Sequence, residues 1–196
     1  MDNKAFLVTS LGSLVMVMLR RVLSSKTVFV PPERERRVKT TSSKTADLVL
    51  REIRAEDYEK KMLDLLTQLT VVGNVSKEFF MKRCEVMRAD PRQRILVVED
   101  VKRNVIVATG TLCVEPKFIH QAGLAGHIED VVVDKDMRSQ GLGSEVVHEL
   151  LRLAREYGCY KAILDCKTHN IAFYEKLGLK RKEVQMALYV IYVRVS

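Results

Sequence analysis

The sequence lacks tryptophan altogether and holds only four prolines among its 196 residues. It also has only four cysteines, Cys84, Cys113, Cys159 and Cys166, and they form no C-x-x-C pair. This low number argues against a disulfide scaffold, so we expect reduced thiols. With four histidines and no H-E-x-x-H motif, we expect no metal site.

Acidic residues are scarce only near the N-terminus. Of the net charge of +8, residues 1–47 carry +5, and residues 48–196 are nearly balanced. No basic stripe with interleaved aromatic residues is present there, so we expect no nucleic-acid partner. The 47% hydrophobic and 30% charged content is typical of one globular domain.

No apolar run reaches the ~20 residues of an ordinary membrane-spanning helix. The longest run, 15 residues from Ala5 to Leu19, is closed by Arg20 and Arg21. If the arginines reach the interface, residues 5–23 form a short membrane anchor. A signal peptide fits poorly because the positive charge before the run is weak. A removed targeting peptide and a mistaken start codon are the alternatives.

The region after the apolar run is polar and contains Pro31 and Pro32. We therefore expect residues 1–47 to be a leader with a polar linker, and residues 48–196 to be one domain. Positive charge on the C-terminal side of the run places the domain in the cytosol. It would be held at the endoplasmic reticulum or another endomembrane.

The alternation and spacing of apolar residues predict a mixed α/β domain in the order β-α-α-β-β-β-α-β-α-β. Ser76 is expected to cap the second helix, and Gly158 to end the third. The predicted strands are 47–53, 94–100, 105–115, 127–134, 160–166 and 183–193, and the predicted helices begin near Glu56, Ser76, Gly141 and Asn170.

A glycine turn follows the strand that ends at Asp134. Gly141 and Gly143 lack a Cβ, so their backbone N–H groups can approach a ligand closely. A helix begins there, and its N-terminus attracts anions. Arg138 and the Ser144 hydroxyl add a charge and a donor. The motif alone predicts either a pyrophosphate site or a tight turn built for packing.

Glu129 and Asp130 are adjacent acids inside an otherwise apolar strand. Successive strand residues point to opposite faces, so both reach one substrate only if the strand is irregular. A β-bulge, frequent beside active sites, would do this and would free the N–H of Val131. An exposed edge pair is the other interpretation.

The turn after "VVVD", followed about thirty residues later by "NIAFYEKLGL", resembles the acetyl-CoA-binding core of the GNAT acyltransferase superfamily. "QLTVVGNVS", "VATGTLCVEPKFIH", "GHIEDVVVD", "YGCYKAILDC" and "FYEKLG" resemble, in order, glucosamine-6-phosphate N-acetyltransferases. The resemblance covers residues 48–189. It implies a mixed, mostly antiparallel central sheet flanked by helices. It also implies direct acetyl transfer from acetyl-CoA to glucosamine 6-phosphate through a tetrahedral intermediate, in UDP-N-acetylglucosamine biosynthesis.

The same resemblance implies roles for individual residues. Tyr174 is the implied general acid, with Asp165, Glu129 and Asp130 beside the amine. Which group deprotonates the amine stays open among these acids and a water relay. The implied cofactor-binding residues are Val131, Val132, Val133, Arg138, Ser139, Gln140, Gly141, Leu142, Gly143, Ser144, Asn170 and Tyr174. The implied substrate-binding residues are Thr70, Lys117, Phe118, Ile119, His120, Glu129, Asp130, Tyr160 and Lys161.

The C-terminus departs from the family pattern, in which some members end on a basic residue that contacts the phosphate. Tyr189 stands near that place, and Arg194 or the pair Lys117 and Lys161 are the substitutes. The resemblance also implies a homodimer in which the C-terminal strands help to complete the partner's site. The apolar tail "YVIYVRV" would otherwise be an exposed edge, so we expect a homodimer.

Two rival functions are considered. One is a GNAT enzyme that acetylates another amine, such as a polyamine or a peptide lysine. The other is a non-catalytic acyl-CoA-binding scaffold. Cations at Lys117, His120 and Lys161 favour an anionic substrate over the first rival.

Overall fold

The computed structural model describes residues 29–38 and 47–189. The expected membrane anchor at residues 5–23 lies outside them. Within the described ranges, no helix is long and apolar enough to cross a membrane. The strands are β1 Arg36–Val38, β2 Leu48–Glu52, β3 Gln93–Asp100, β4 Val105–Pro116, β5 Leu124–Val133 and β6 Cys159–Ile163. The α-helices are α1 Met62–Thr67, α2 Lys77–Ala89, α3 Leu142–Glu156 and α4 Ile171–Lys176.

The six strands form one sheet in chain order, β1 to β6. Every neighbouring pair is antiparallel except β5 and β6, which are parallel. The parallel pairing stops at His127 and Ile163 although β5 continues to Val133. The mixed, mostly antiparallel sheet is confirmed, and a gap opens where β5 and β6 part.

Helices cover the two faces of this sheet. The amphipathic α3 buries Val146, Leu150 and Leu153 against one face. On the other face, α1 and α2 bury Met62 and Phe80 in a second cluster. Truncating one of these large side chains to alanine costs about 2–5 kcal/mol, because a cavity replaces the lost contacts.

The ends of the helices follow the sequence signals. The Ser76 hydroxyl accepts a hydrogen bond from the Phe79 amide at 3.2 Å, which confirms the predicted cap. Gly158 has a φ of 77° just beyond α3, as expected of a residue that ends a helix. The first helix is shorter than the apolar spacing predicts: it ends at Thr67, and Leu69, the last apolar residue of the pattern, lies beyond it.

Residues 29–38 were expected to be linker, but they pack along the edge of β2. Val38 is buried, and β1 pairs with β2. The buried Arg94 donates to the carbonyl oxygen of Pro31 at 2.6 Å. The alternating charges of "ERER" (33–36) form ion pairs in two directions. The two acids pair with arginines, as Glu33–Arg88 and Glu35–Arg54, and the two arginines pair with glutamates of α3, as Arg34–Glu156 and Arg36–Glu145. We call residues 29–38 the N-terminal arm.

The predicted last strand, 183–193, is wrong over its described part. Residues 183–189 form no strand, and Val184, Met186 and Leu188 are exposed. The β-branched and aromatic composition favours a strand, but no neighbouring strand pairs with this segment in the described single chain. Residues 190–193 lie outside the described ranges.

Candidate active site

A β-bulge lies where β5 separates from β6. Val132 pairs with Thr109 and Glu129 pairs with Thr111, so Asp130 and Val131 together face Gly110. The φ of Asp130 is 53°, a left-handed conformation uncommon outside glycine. The predicted bulge is therefore confirmed, and it leaves backbone groups of β5 unpaired beside the gap.

Helix α3 packs closely against the bulge on the core side of the sheet. A Cβ at Gly110 would lie 2.8 Å from Cγ1 of Val146 and 3.0 Å from Cδ1 of Leu150. Only glycine lets the helix approach the sheet this closely. The position of α3, and of its N-terminus, is thereby fixed against the bulge.

The chain turns from β5 into α3 through Asp134, a 3₁₀ turn at Lys135–Met137, and Gly141. The carboxylate of Asp134 accepts from the amide of Asp136 at 2.9 Å. Nε of Arg138 donates to the carbonyl oxygen of Val133 at 3.1 Å. Gly141 begins α3 with a φ of 88°, which any L side chain would strain.

This turn fits a pyrophosphate. The first N–H groups of a helix have no partner inside it, and they carry its positive partial charge. Leu142 is 1% exposed and packs in the core, so only its backbone can contribute. The Gln140 amide is turned back toward Asp136, which leaves Ser144 as a side-chain donor in the first turn.

A residue that the sequence did not single out holds this turn. Gln68, just after α1, donates from Nε2 to Asp134 Oδ2 at 3.0 Å and accepts from the amide of Lys135 at 2.9 Å. A glutamine at a helix end carries no motif of its own, so only the fold reveals it. Thr70, two residues later, is exposed and donates its amide to Leu66.

Three carboxylates meet at the gap between β5 and β6. Burial raises the pKa of Glu129 above its ordinary value, and the negative charges of Asp130 and Asp165 raise it further. The structure thus brings together all three predicted acids. A carboxylate with a raised pKa is better suited to accept a proton near neutral pH.

Tyr174 lies on α4, near the end of β6. Burial raises the pKa of its phenol, with a smaller contribution from Cys166. Its ring packs edge-on against Phe173, with centroids 4.9 Å apart. A Cβ at Gly143 would lie 3.3 Å from Phe173, so α4 contacts the N-terminus of α3. Asn170 is the residue from which α4 starts.

The predicted sugar-side residues lie on the loop after β4 and on β6. In the turn Ile119–Ala122, His120, Gln121 and Ala122 have φ between 51° and 59°. His120 stacks on Tyr160 with centroids 4.0 Å apart, and the Lys161 ammonium lies 5.8 Å from the same ring. Phe118 and Ile119 are exposed.

Lys117 is not a free cation. Its ammonium forms an ion pair with Glu115, which also contacts His127. Lys117 is thus less available to a phosphate than its position in the sequence suggested. Among residues 29–38 and 47–189, no group of three or more His, Cys, Asp or Glu has an arrangement that could hold a metal ion.

The chain is similar in sequence and fold to known proteins. Residues 50–179 match the Acetyltransferase (GNAT) family. The glucosamine 6-phosphate N-acetyltransferase of Arabidopsis thaliana is 43% identical over 141 residues, which cover 71% of this chain and 95% of that protein. Glucosamine 6-phosphate N-acetyltransferase 1 of Dictyostelium discoideum is 38% identical over 135 residues, which cover 69% of this chain and 86% of that protein. The crystal structure of the Arabidopsis enzyme matches with a TM-score of 0.72 at 42% identity, covering 74% of this chain and 99% of that one.

Proposed function

The chain belongs to the GNAT acetyltransferase family, and we propose that it transfers acetyl from acetyl-CoA to the 2-amino group of D-glucosamine 6-phosphate. Its relatives of that name align over nearly their whole length at about 40% identity. The product is N-acetyl-D-glucosamine 6-phosphate, which would serve UDP-N-acetylglucosamine biosynthesis.

The bulge at Asp130 and Val131 is the observation that carries the proposal. It supplies an unpaired N–H beside the gap, where the thioester carbonyl needs a donor as negative charge develops. The turn from Ser139 to Ser144 lies at the end of the same strand and suits the pyrophosphate. Acetyl-CoA, bound along β5, supplies the activated acetyl group.

Glu129 is the proposed base, because its raised pKa lets it accept a proton from the ammonium form of the substrate. Asp130 and Asp165 attract that ammonium and keep the amine close. Tyr174 is the proposed acid for the departing thiolate. Its raised pKa keeps the phenol protonated through the neutral range.

The sugar phosphate is proposed to bind at Lys161 and His120, which share the ring of Tyr160. Lys161 is exposed and forms no ion pair with another of the described residues. Lys117 assists only if the phosphate displaces Glu115. Tyr189, the last of the described residues, is exposed and offers a phenol near the place where the family resemblance implies a basic contact in some members.

A homodimer is proposed through the C-terminal segment that follows Lys182. Alternate residues Val184, Met186 and Leu188 are exposed and apolar, and β6 is the edge strand of the described sheet. A second copy would cover both features. Light scattering should give twice the chain mass for the full chain and one chain mass for a chain that ends at Lys182.

Membrane association through residues 5–23 is a further part of the proposal, carried only by the apolar run. The full chain should float with lipid vesicles, whereas a chain that begins at Phe29 should not. Equal flotation of both would exclude the apolar run as the anchor.

Tyr174→Phe tests whether the chain is an enzyme or a binding scaffold. We expect kcat for thiol release from acetyl-CoA with glucosamine 6-phosphate to fall by about 10²-fold, the low end for loss of a general acid. Calorimetry should give an acetyl-CoA Kd within about twofold of the wild type, since a hydroxyl is all that is lost. Unchanged turnover would remove Tyr174 from the acid role.

A further inference from the structure

The proposed reaction releases one proton that the active-site groups described above do not return to water. The substrate is an ammonium ion, and the products are a neutral amide and a neutral thiol. Its nitrogen loses two protons when the N–C bond forms and the C–S bond breaks. One of them replaces the proton that Tyr174 gives to the thiolate. The other is left on Glu129 and must leave before the next turnover.

A row of ionisable groups leads away from Glu129 on the same face of the sheet. His127 pairs with Cys113 and Glu129 with Thr111 in regular register, so both side chains project opposite to the core residues Leu112 and Ile128. Along the strand they are about 7 Å apart, at ~3.3 Å per residue. This is the spacing of the Cα atoms, and the flexible Glu129 side chain can bring its carboxylate within the ~5.6 Å that one water spans with two hydrogen bonds of ~2.8 Å.

The row continues from His127 to the next strand. Nε2 of His127 lies 2.9 Å from Oε2 of Glu115 on β4. The His127 side chain is 31% exposed and that of Glu115 is 45% exposed, so the row ends in solvent. Lys117 pairs with the same carboxylate and lowers the pKa of Glu115, so Glu115 stays ionised and passes a proton on to water instead of retaining it.

The other neighbours of His127 are compatible with this path. Cys113 is its partner on β4, and burial and the nearby carboxylates raise the pKa of that thiol, which therefore stays neutral. On β6, the apolar Ile163 faces His127, with Lys161 and Asp165 two residues to either side. His127 is close enough to Glu129 to act on the pKa of that carboxylate.

We propose that His127, held by Glu115, is the proton-exit residue of this enzyme: it takes the proton from Glu129 through a water and passes it to solvent at Glu115. One ring nitrogen accepts the proton while Nε2 gives its own proton through Glu115 to water, so the imidazole returns to its starting charge and recovers its starting tautomer by proton exchange with solvent. The inference rests on the proposed function, and His127 is a positioning and relay residue that does not touch the substrate.

The test compares His127→Gln with the wild type and with His148→Gln, a matched change on the exposed side of α3. We expect His127→Gln to lower kcat about tenfold, less than the ~10²-fold minimum for a direct acid or base. KM for both substrates and the acetyl-CoA Kd should stay within about twofold. Glu115→Gln should lower kcat in the same direction, and His148→Gln should leave it unchanged.

Rescue separates a relay from a packing role. In His127→Ala, kcat should rise with imidazole concentration at constant pH and ionic strength, because free imidazole replaces the missing acceptor. The wild type should not respond. A loss of kcat that imidazole does not restore, or no loss in His127→Gln and Glu115→Gln, would overturn the proposal.

Failure of the proposed function gives a different result. If the wild type acetylates spermidine or a lysine peptide instead of glucosamine 6-phosphate, the substrate assignment is wrong. Any ammonium substrate releases the same proton, so imidazole rescue of His127→Ala with that amine would still support the relay. Its absence would overturn the relay independently.

Discussion

Gln68 and Asp134 join two parts of the chain that are 66 residues apart in sequence. The Gln68 amide donates to the carboxylate at 3.0 Å, and its oxygen accepts from the amide of Lys135. The end of α1 thereby holds the turn that leads from β5 to the proposed pyrophosphate site. Lys135 and Asp136 in this turn are exposed, so these two hydrogen bonds act together with the buried Met137 to hold the turn in place.

Gln68→Ala should therefore weaken acetyl-CoA binding more than sugar binding. The bond from the Lys135 amide contributes about 1 kcal/mol and the bond to the carboxylate about 1.5 kcal/mol or more, so we expect KM for acetyl-CoA to rise by at least about tenfold even if only part of this energy orders the binding turn. KM for glucosamine 6-phosphate should change less than twofold. Steady-state kinetics with each substrate varied in turn measures both values. Equal increases in the two KM values would show that Gln68 supports the whole site rather than the turn.

The acidic limb of the pH profile should report the neighbours of Glu129. Its pKa is raised by burial and then by Asp130 and Asp165, so kcat should fall at a pH above the ordinary 4.5 of a glutamate. Asp165→Asn removes one negative charge and should move this limb to lower pH. Asp47→Asn, at the start of β2, should not. A limb that stays fixed in Asp165→Asn would assign it to another group.

A buried ionic cluster should make the fold sensitive to acid. Arg51 is 2% and Asp57 0% exposed, and Arg51 donates to Asp57 and to Glu99. Although burial acts to raise it, the pKa of Glu99 is lowered by hydrogen bonds from Lys60 and Arg51. A lowered folded-state pKa contributes stability above the unfolded value near 4.5, and this stability is lost as the pH falls through the folded-state pKa.

Urea unfolding should thus show that the free energy of unfolding falls between neutral pH and pH ~3. This fall should be smaller in Glu99→Gln, which lacks the titrating carboxyl group. At neutral pH, Arg51→Met should cost about 3–5 kcal/mol, because it leaves the buried Asp57 carboxylate without a cation and with only the Arg54 amide donating to it. The exposed Arg155→Met on α3 should be within about 0.5 kcal/mol of the wild type. A small effect of Arg51→Met would mean that water replaces the arginine.

The N-terminal arm should contribute measurably to stability. A chain that begins at Asp47 loses the burial of Val38 and the Arg94 bond to Pro31, and we expect it to unfold with about 2–4 kcal/mol less free energy than one that begins at Phe29. Val38→Ala should lose part of this difference. Arg37→Ala, at an exposed neighbour, should not. Equal stability of the two chains would show that the arm is not part of the cooperative fold.

Most of the sheet and its helices follow from sequence patterns that act locally. The Ser76 cap, the hairpin of β3 and β4, and the bulge at Asp130 and Val131 each depend on residues within a few positions of one another. The arm was not predicted, because the "ERER" charges have meaning only when Arg54, Arg88 and α3 stand around them. A polar stretch after two prolines is typical of a linker, and the sequence alone does not show which residues pair with its charges.

The same limit applies to the site. The glycine turn and the tyrosine segment carry motifs, whereas Gln68 and the pair His127 and Glu115 depend on contacts between separate elements. The last predicted strand failed for a related reason. A strand needs an edge to pair with, and composition alone does not supply one in the described single chain.

One measurement tests most directly whether glucosamine 6-phosphate is the amine that the protein acetylates. It is the kcat/KM for thiol release from acetyl-CoA with glucosamine 6-phosphate, glucosamine, spermidine and a lysine peptide, each at the same pH. We predict that glucosamine 6-phosphate exceeds glucosamine by about 10²-fold, since two charge-assisted hydrogen bonds to the phosphate are worth about 3 kcal/mol. Equal values for the two sugars, or a higher value for spermidine or the peptide, would contradict the account.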